Sequence, residues 1–319
     1  MRRFKNILYL ATTPAEDPLA LQRAVDLAQR NRARLTLFAV HEPVHTNPLL
    51  DEGLKGLVER SIKAEQEELL AKLSALCAAA DVRVETRSCL AKPFMAAIQA
   101  VQRDGFDLVV KAADGPLDAL DRILGSDDLH LLRKCPCPVW IEPDHEDARR
   151  VGQHAAVLAA IDPSRAESRA LDRTVLELAS SLANLTGARL HVVHAWRLPG
   201  ESMLANGRTA VSTEHLDNYL NETRANHRLA VAEMVEPFRA RCPDLALHLH
   251  KGVPSAVILE TARTLHCGLI VMGTVGRTGI PGLFIGNTAE EVLQGIDSAV
   301  LAIKPSGFES PIEAQDTRG

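Results

Sequence analysis

The residues of this chain best suited to chemistry lie near its end, in Met272-Gly273-Thr274-Val275-Gly276-Arg277-Thr278-Gly279-Ile280-Pro281-Gly282-Leu283-Phe284-Ile285-Gly286-Asn287-Thr288. Gly273 and Gly276 allow a tight turn and bring backbone N–H groups close to a ligand with no Cβ in the way. Gly286-Asn287-Thr288 stands at the mouth of the helix implied by Ala289-Glu290-Glu291-Val292-Leu293. Free N–H groups and the positive end of a helix dipole favour a phosphate there. Asn287 and Thr288 add side-chain donors and are equally good helix caps. No Gly-Lys-Ser/Thr follows, so this is not a P-loop; the glycines follow a fourth apolar run and not a first, so it is not the dinucleotide fingerprint. Spacing alone leaves a phosphate cradle and a structural loop both open.

The elements that must position this loop come from a duplication. Ala33-Arg34-Leu35-Thr36-Leu37-Phe38-Ala39-Val40-His41 is echoed by Ala188-Arg189-Leu190-His191-Val192-Val193-His194-Ala195-Trp196, and Phe106-Asp107-Leu108-Val109-Val110 by Cys267-Gly268-Leu269-Ile270-Val271. A period of roughly 150 residues is far too long for a solenoid and means a repeated domain. In each half, five apolar runs alternate with amphipathic stretches such as Leu171, Val175, Leu178 and Leu182 at helical spacing. The central runs are continuous and aliphatic, as in strands covered on both faces. The third run of each half, Val82–Thr86 and Leu245–Leu249, alternates and reads as a near-edge strand. The expected fold is α/β: two tandem, doubly wound, five-stranded parallel-sheet domains. We place them at residues 1–146 and 152–306, with a polar linker between and a mobile tail at 307–319.

Composition narrows the function. The net charge of -5 gives no electrostatic case for nucleic acid. Aromatic residues at 3% are too scarce for base-stacking platforms. No apolar run approaches the roughly 20 residues of a membrane span, and the N-terminus reads as a first strand and not a leader, so the expected location is cytoplasmic. The six cysteines include no C-x-x-C pair, and Cys135-Pro136-Cys137 reads as small apolar packing.

The spacing Gly273-x-x-Gly276, nine residues, then Gly286-Asn287-Thr288 resembles the nucleotide signature of the universal stress protein family. The alternating strands, the Asp162-Pro163-Ser164 that ends the first strand of the second half, and the duplication are similar to tandem members of the UspE type. The resemblance implies the adenine nucleotide alpha hydrolase-like fold and two domains related by a pseudo-twofold, with Val139–Ile141 and Val300–Ile303 as contact strands. It implies a stress-response role and ATP, with or without Mg2+, bound in the second domain as a regulatory ligand. Asp162 and Ala195 would hold base and ribose; Gly273, Val275, Gly276, Gly286, Asn287 and Thr288 would hold phosphates. Asn287 departs from the usual Ser. From the residues alone, Asp162 also suits a helix N-cap.

The first half has lost part of this pattern. Laying Ala91–Leu132 on the second half without a gap puts Pro93 under Pro254, Ala112 under Gly273, Gly115 under Gly276 and Gly125-Ser126 under Gly286-Asn287. Thr13 stands where the second half has Asp162. Asp114, Asp118, Asp121, Asp127 and Asp128 crowd the loop and would repel a triphosphate, so no nucleotide is expected there. A cation at that acidic loop is the alternative to a solvated one. His191, His194, His248 and His250 lie on neighbouring strands; His191 and His194 point to opposite faces, and packing outweighs a zinc site, so no metal is expected. Arg277 and Lys304 read as surface positions. No nucleophile–base pair is visible, and any ATP hydrolysis would be slow. A non-nucleotide scaffold, binding a small molecule or lipid and acting through protein partners, is the alternative function. Whether whole chains form homodimers is left open.

Overall fold

The computed structural model describes residues 4–12, 19–43, 52–113, 127–143, 156–201, 212–274, 285–295 and 298–313. They divide into two compact units. The first contains β1 (Asn6–Ala11), α1 (Leu19–Asn31), β2 (Arg34–His41), α2 (Glu52–Ala79), β3 (Val84–Leu90), α3 (Pro93–Asp104), β4 (Leu108–Ala112), α4 (Asp127–Lys134) and β5 (Val139–Glu142). The second contains β6 (Ala156–Ala160), α5 (Arg169–Thr186), β7 (Leu190–Trp196), α6 (Thr213–Arg239), β8 (Ala246–Lys251), α7 (Pro254–Thr264), β9 (Cys267–Gly273) and α8 (Asn287–Gly295). The last strand, β10 (Ala299–Ile303), clusters with the first unit.

Strands run in the order β3-β2-β1-β4-β5-β10 in the first unit and β9-β6-β7-β8 in the second. Within each unit the described pairings are parallel except β5 with β10, which is antiparallel and sets Trp140 opposite Leu301. The α/β reading of the sequence therefore holds. Every residue of β1 is buried, as the continuous run Ile7-Leu8-Tyr9-Leu10 requires of a strand with helices on both faces. The alternating runs become β3 and β8, each last in its unit's strand order and only part-buried.

The repeats use the same helix punctuation. Pro93 and Pro254 open α3 and α7 at positions where a missing N–H costs nothing. Gly105 (φ 67) and Gly187 (φ 73) close α3 and α5 in the left-handed region, their N–H groups returning to Val101 O and Ala183 O. β1 lies between β2 and β4, and β6 between β7 and β9. Each unit therefore has a topological switch point at its first strand, and ligands of such sheets collect beyond the strands' carboxyl ends there.

Candidate functional site

In the second unit, register aligns the expected site. Ala160 is level with Val193 on one side and Met272 on the other. Asp162, Ala195 and Thr274, each two residues further on, therefore leave three adjacent strands in one row. Ala195 is part-exposed, and the Asp162 side chain is 38% accessible.

Asp162 is not a helix cap. Helix α5 begins at Arg169, with Ser168 before it. The Asp162 carboxylate instead accepts from Ser164 Oγ and has Arg165 Nε at 3.9 Å. Its carbonyl accepts from Ser168 Oγ, and its N–H donates to Asp172 Oδ1 at 3.2 Å. Asp172 is 5% exposed, and its Oδ2 is buried with no hydrogen-bond partner. Burial pushes the Asp172 carboxyl up to about 6; the Asp162 N–H opposes that shift and the Asp162 charge adds to it.

The glycine loop has a closed neck: Gly286 N–H donates to Thr274 O at 2.8 Å, and Thr274 is buried. Gly286 O accepts from Glu290 N at 2.9 Å, which is the first turn of α8. Gly286 is thus the capping residue, and Asn287 and Thr288 are the first two helical residues, with their N–H groups at the free end. A Cβ on Gly273 would lie 2.5 Å from Leu171 Cδ2, so a larger residue here would have to push the Leu171 side chain of α5 aside. Val275, Gly276 and Arg277 fall outside the described residues.

Behind Asp162 lies a pair that sequence reasoning missed. His194, 1% exposed, places Nδ1 3.0 Å from Ile161 O and 3.8 Å from Asp162 Oδ1. A carbonyl only accepts, so Nδ1 carries the proton and Nε2 is a lone pair. That lone pair faces His227 Nδ1, on α6, at 2.8 Å. Trp196 stacks on His227 with centroids 5.7 Å apart. Burial holds both histidines below their usual value. His227 carried no signal beyond an inward position on a long helix, and Asp172 none beyond lying in a helix's first turn.

The other histidines pair separately: His191 Nδ1 is 2.9 Å from His248 Nε2, and His250 stacks on His248. Among the described residues no group of three His, Cys, Asp or Glu is placed to hold a metal ion.

In the first unit the positions aligned with Met272 and Ala289, both buried in the second, hold an ion pair. Lys111, fully buried, donates to Asp128 Oδ1 at 2.8 Å and to Ala112 O at 2.9 Å. Glu142 accepts from Trp140 Nε1 at 2.7 Å and has Arg23 Nε at 3.7 Å. Asp128, read from sequence as one of a repelling set, is an ion-pair partner. Asp114, Asp118 and Asp121 lie outside the described residues. Lys304, read as a surface residue, is 8% exposed and donates to Leu132 O.

Fold and site together define the class: a duplicated, doubly wound α/β protein with a glycine loop at the switch point of its second repeat. The model of the universal stress protein family matches residues 3–143 and again 155–304, and the chain belongs to that family. Universal stress protein E of Escherichia coli K12 is 30% identical, covering 99% of each chain. A functionally unknown protein from Pseudomonas aeruginosa PAO1 is 27% identical and superposes with a TM-score of 0.66, over 95% of this chain and 93% of that one. A universal stress protein from Archaeoglobus fulgidus shares the fold at 19% identity and a TM-score of 0.67, over 96% and 99% of the two chains. Among the described residues no helix is long and apolar enough to cross a membrane.

Proposed function

We propose that this stress protein binds an adenine nucleotide, ATP with or without Mg2+, in its second repeat as a regulatory ligand, and does so in the cytoplasm. The observation that carries the reading is the row of Asp162, Ala195 and Thr274 across three adjacent strands, opposite the free end of α8. Asp162 and Ala195 take the nucleoside. Gly273, Val275, Gly276, Gly286, Asn287 and Thr288 take the phosphates, whose charge suits unpaired N–H groups at a helix N-terminus. The first repeat binds none: Ala112 replaces the first glycine, Thr13 replaces the acid, and acidic residues crowd the loop sequence. Calorimetric titration with ATP and magnesium tests this. One site per chain is expected, lost in Asp162→Ala. Two sites would overturn the assignment for the first repeat, and no binding would overturn the nucleotide reading.

One observation favours a second reading, a small-molecule or lipid-binding scaffold. The first unit has a cavity of ≈ 380 Å³ between α2 and β3, lined by Gly56, Arg60, Lys63, Gln66, Ser88 and Leu90 among others. Mass spectrometry of ligand carried through purification separates the two readings.

A further inference from the structure

The His194–His227 pair has no part in the phosphate cradle, yet it adjoins Asp162, assigned above to the nucleoside. Two imidazoles stand in line at 2.8 Å, one buried and one on the helix covering it, and the buried one lies 3.8 Å from the Asp162 carboxylate. We infer that nucleotide binding in the second repeat is proton-coupled, the His194–His227 pair taking up one proton as the nucleotide binds. The inference rests on the nucleotide reading above.

The geometry limits the pair to one added proton. His194 Nδ1–H is committed to Ile161 O. His227 Nδ1–H is committed to His194 Nε2, and a second proton between those facing nitrogens would clash. The added proton therefore comes from solvent and goes to His227 Nε2, the ring nitrogen outside the contact. Among the described residues Asp162, just past β6, is the charged group that faces the pair. Trp196 of β7 faces it without charge. Asp172 of α5 and Arg165 touch Asp162 and not the histidines. Without ligand, burial outweighs the attraction of Asp162 and holds both rings below the ordinary imidazole range, which favours their neutral forms. A polyphosphate adds negative charge at the same strand ends and favours the imidazolium. Linkage then requires affinity to rise as pH falls, by at most about tenfold per pH unit for one proton.

The test is calorimetric titration of the full chain with ATP and magnesium in two buffers of different ionisation enthalpy, at about pH 6 and about pH 8, spanning the histidine range. The readout is proton uptake in the wild type minus uptake in His227→Gln. Gln keeps an N–H donor toward His194 and takes no proton, and titration of ATP itself cancels in the difference. A difference of about half a proton or more at the lower pH, and none at the higher, is expected. Equal uptake by both proteins overturns the inference. So does loss of the uptake in Asp172→Asn, which would place the proton on Asp172. So does loss of binding by His227→Gln at both pH values, which would make His227 a ligand contact. If His227→Gln does not fold, His227→Asn serves the same comparison. Absence of any binding by the wild type defeats the nucleotide reading as well, so the two failures are distinguishable.

Discussion

Lys111 and Asp128 form an ion pair inside the first unit, Nζ to Oδ1 at 2.8 Å, with the lysine side chain 0% and the aspartate 11% exposed. In the second repeat the aligned positions are Met272 and Ala289, which carry no charge. Removing one member leaves a buried charge with its partner gone. We expect Asp128→Ala to cost about 3–5 kcal/mol. The double change Lys111→Met with Asp128→Ala, which restores the second repeat's pairing, should cost within about 1 kcal/mol of nothing. Denaturant unfolding of the two variants beside the wild type checks this, and equal losses in the single and double variants would contradict it.

Asp172 makes stability depend on pH in a known direction. Its folded value, about 6, lies above its ordinary 3.8, so the folded state binds the extra proton between them. Stability contributed by this group is thus full below about pH 4 and falls as pH rises to about 6, by roughly 2–3 kcal/mol. Asp172→Asn keeps an oxygen for the Asp162 N–H and removes the charge. The variant should be more stable than the wild type at pH 8 and equal to it at pH 4; unfolding midpoints at both pH values decide.

Gly273→Ala sets a methyl against Leu171 Cδ2 and Cγ, at 2.5 and 3.1 Å. Leu171 is only part-buried and can move, so the expected loss is about 1 kcal/mol, at the low end for overpacking. The shift acts beside Asp172 and hence on the backbone of Asp162. Nucleotide affinity should fall with stability, and both should recover in Gly273→Ala with Leu171→Ala. Thermal melting and titration of the pair of variants measure it.

Thiol chemistry should single out one cysteine. All six are free; five are buried and Cys89 is half-buried. Burial pushes the Cys77 thiol up to about 11 and Cys267 up to about 12; it raises Cys89 too, but there the Arg103 charge opposes it and the side chain is half-exposed. A colorimetric thiol reagent on the native chain should show one fast group, absent in Cys89→Ser, and five slow ones.

Much of this architecture was legible because short-range chemistry decides it. Pro93 and Pro254 mark helix starts in any context, and continuous aliphatic runs mark two-sided strands. Asp162 and Ala195 were implied by the family resemblance, and the strand register sets them level with Thr274, which the sequence had not singled out. Sequence reasoning failed where a side chain's partner is remote or its charge is masked. Lys304 looked like a surface lysine because its acceptor, Leu132 O, lies 172 positions away. Asp128 looked like one of several repelling acids because Lys111 reads as the end of an apolar strand. His227 sits 33 residues from His194, and nothing in helical periodicity pairs a polar position with a particular strand residue. Asp162 also suited a helix cap in sequence, and the observed start of α5 at Arg169 removed that role.

The antiparallel seam between β5 and β10 bears on how the chain is made. On a ribosome, Val139–Glu142 emerges well before Ala299–Ile303 exists. Until then the backbone groups that β10 will engage are an open strand edge, the kind of surface on which nascent chains pair wrongly. The first unit's sheet therefore gains its sixth strand only after residues 299–303 have been made, long after its other five.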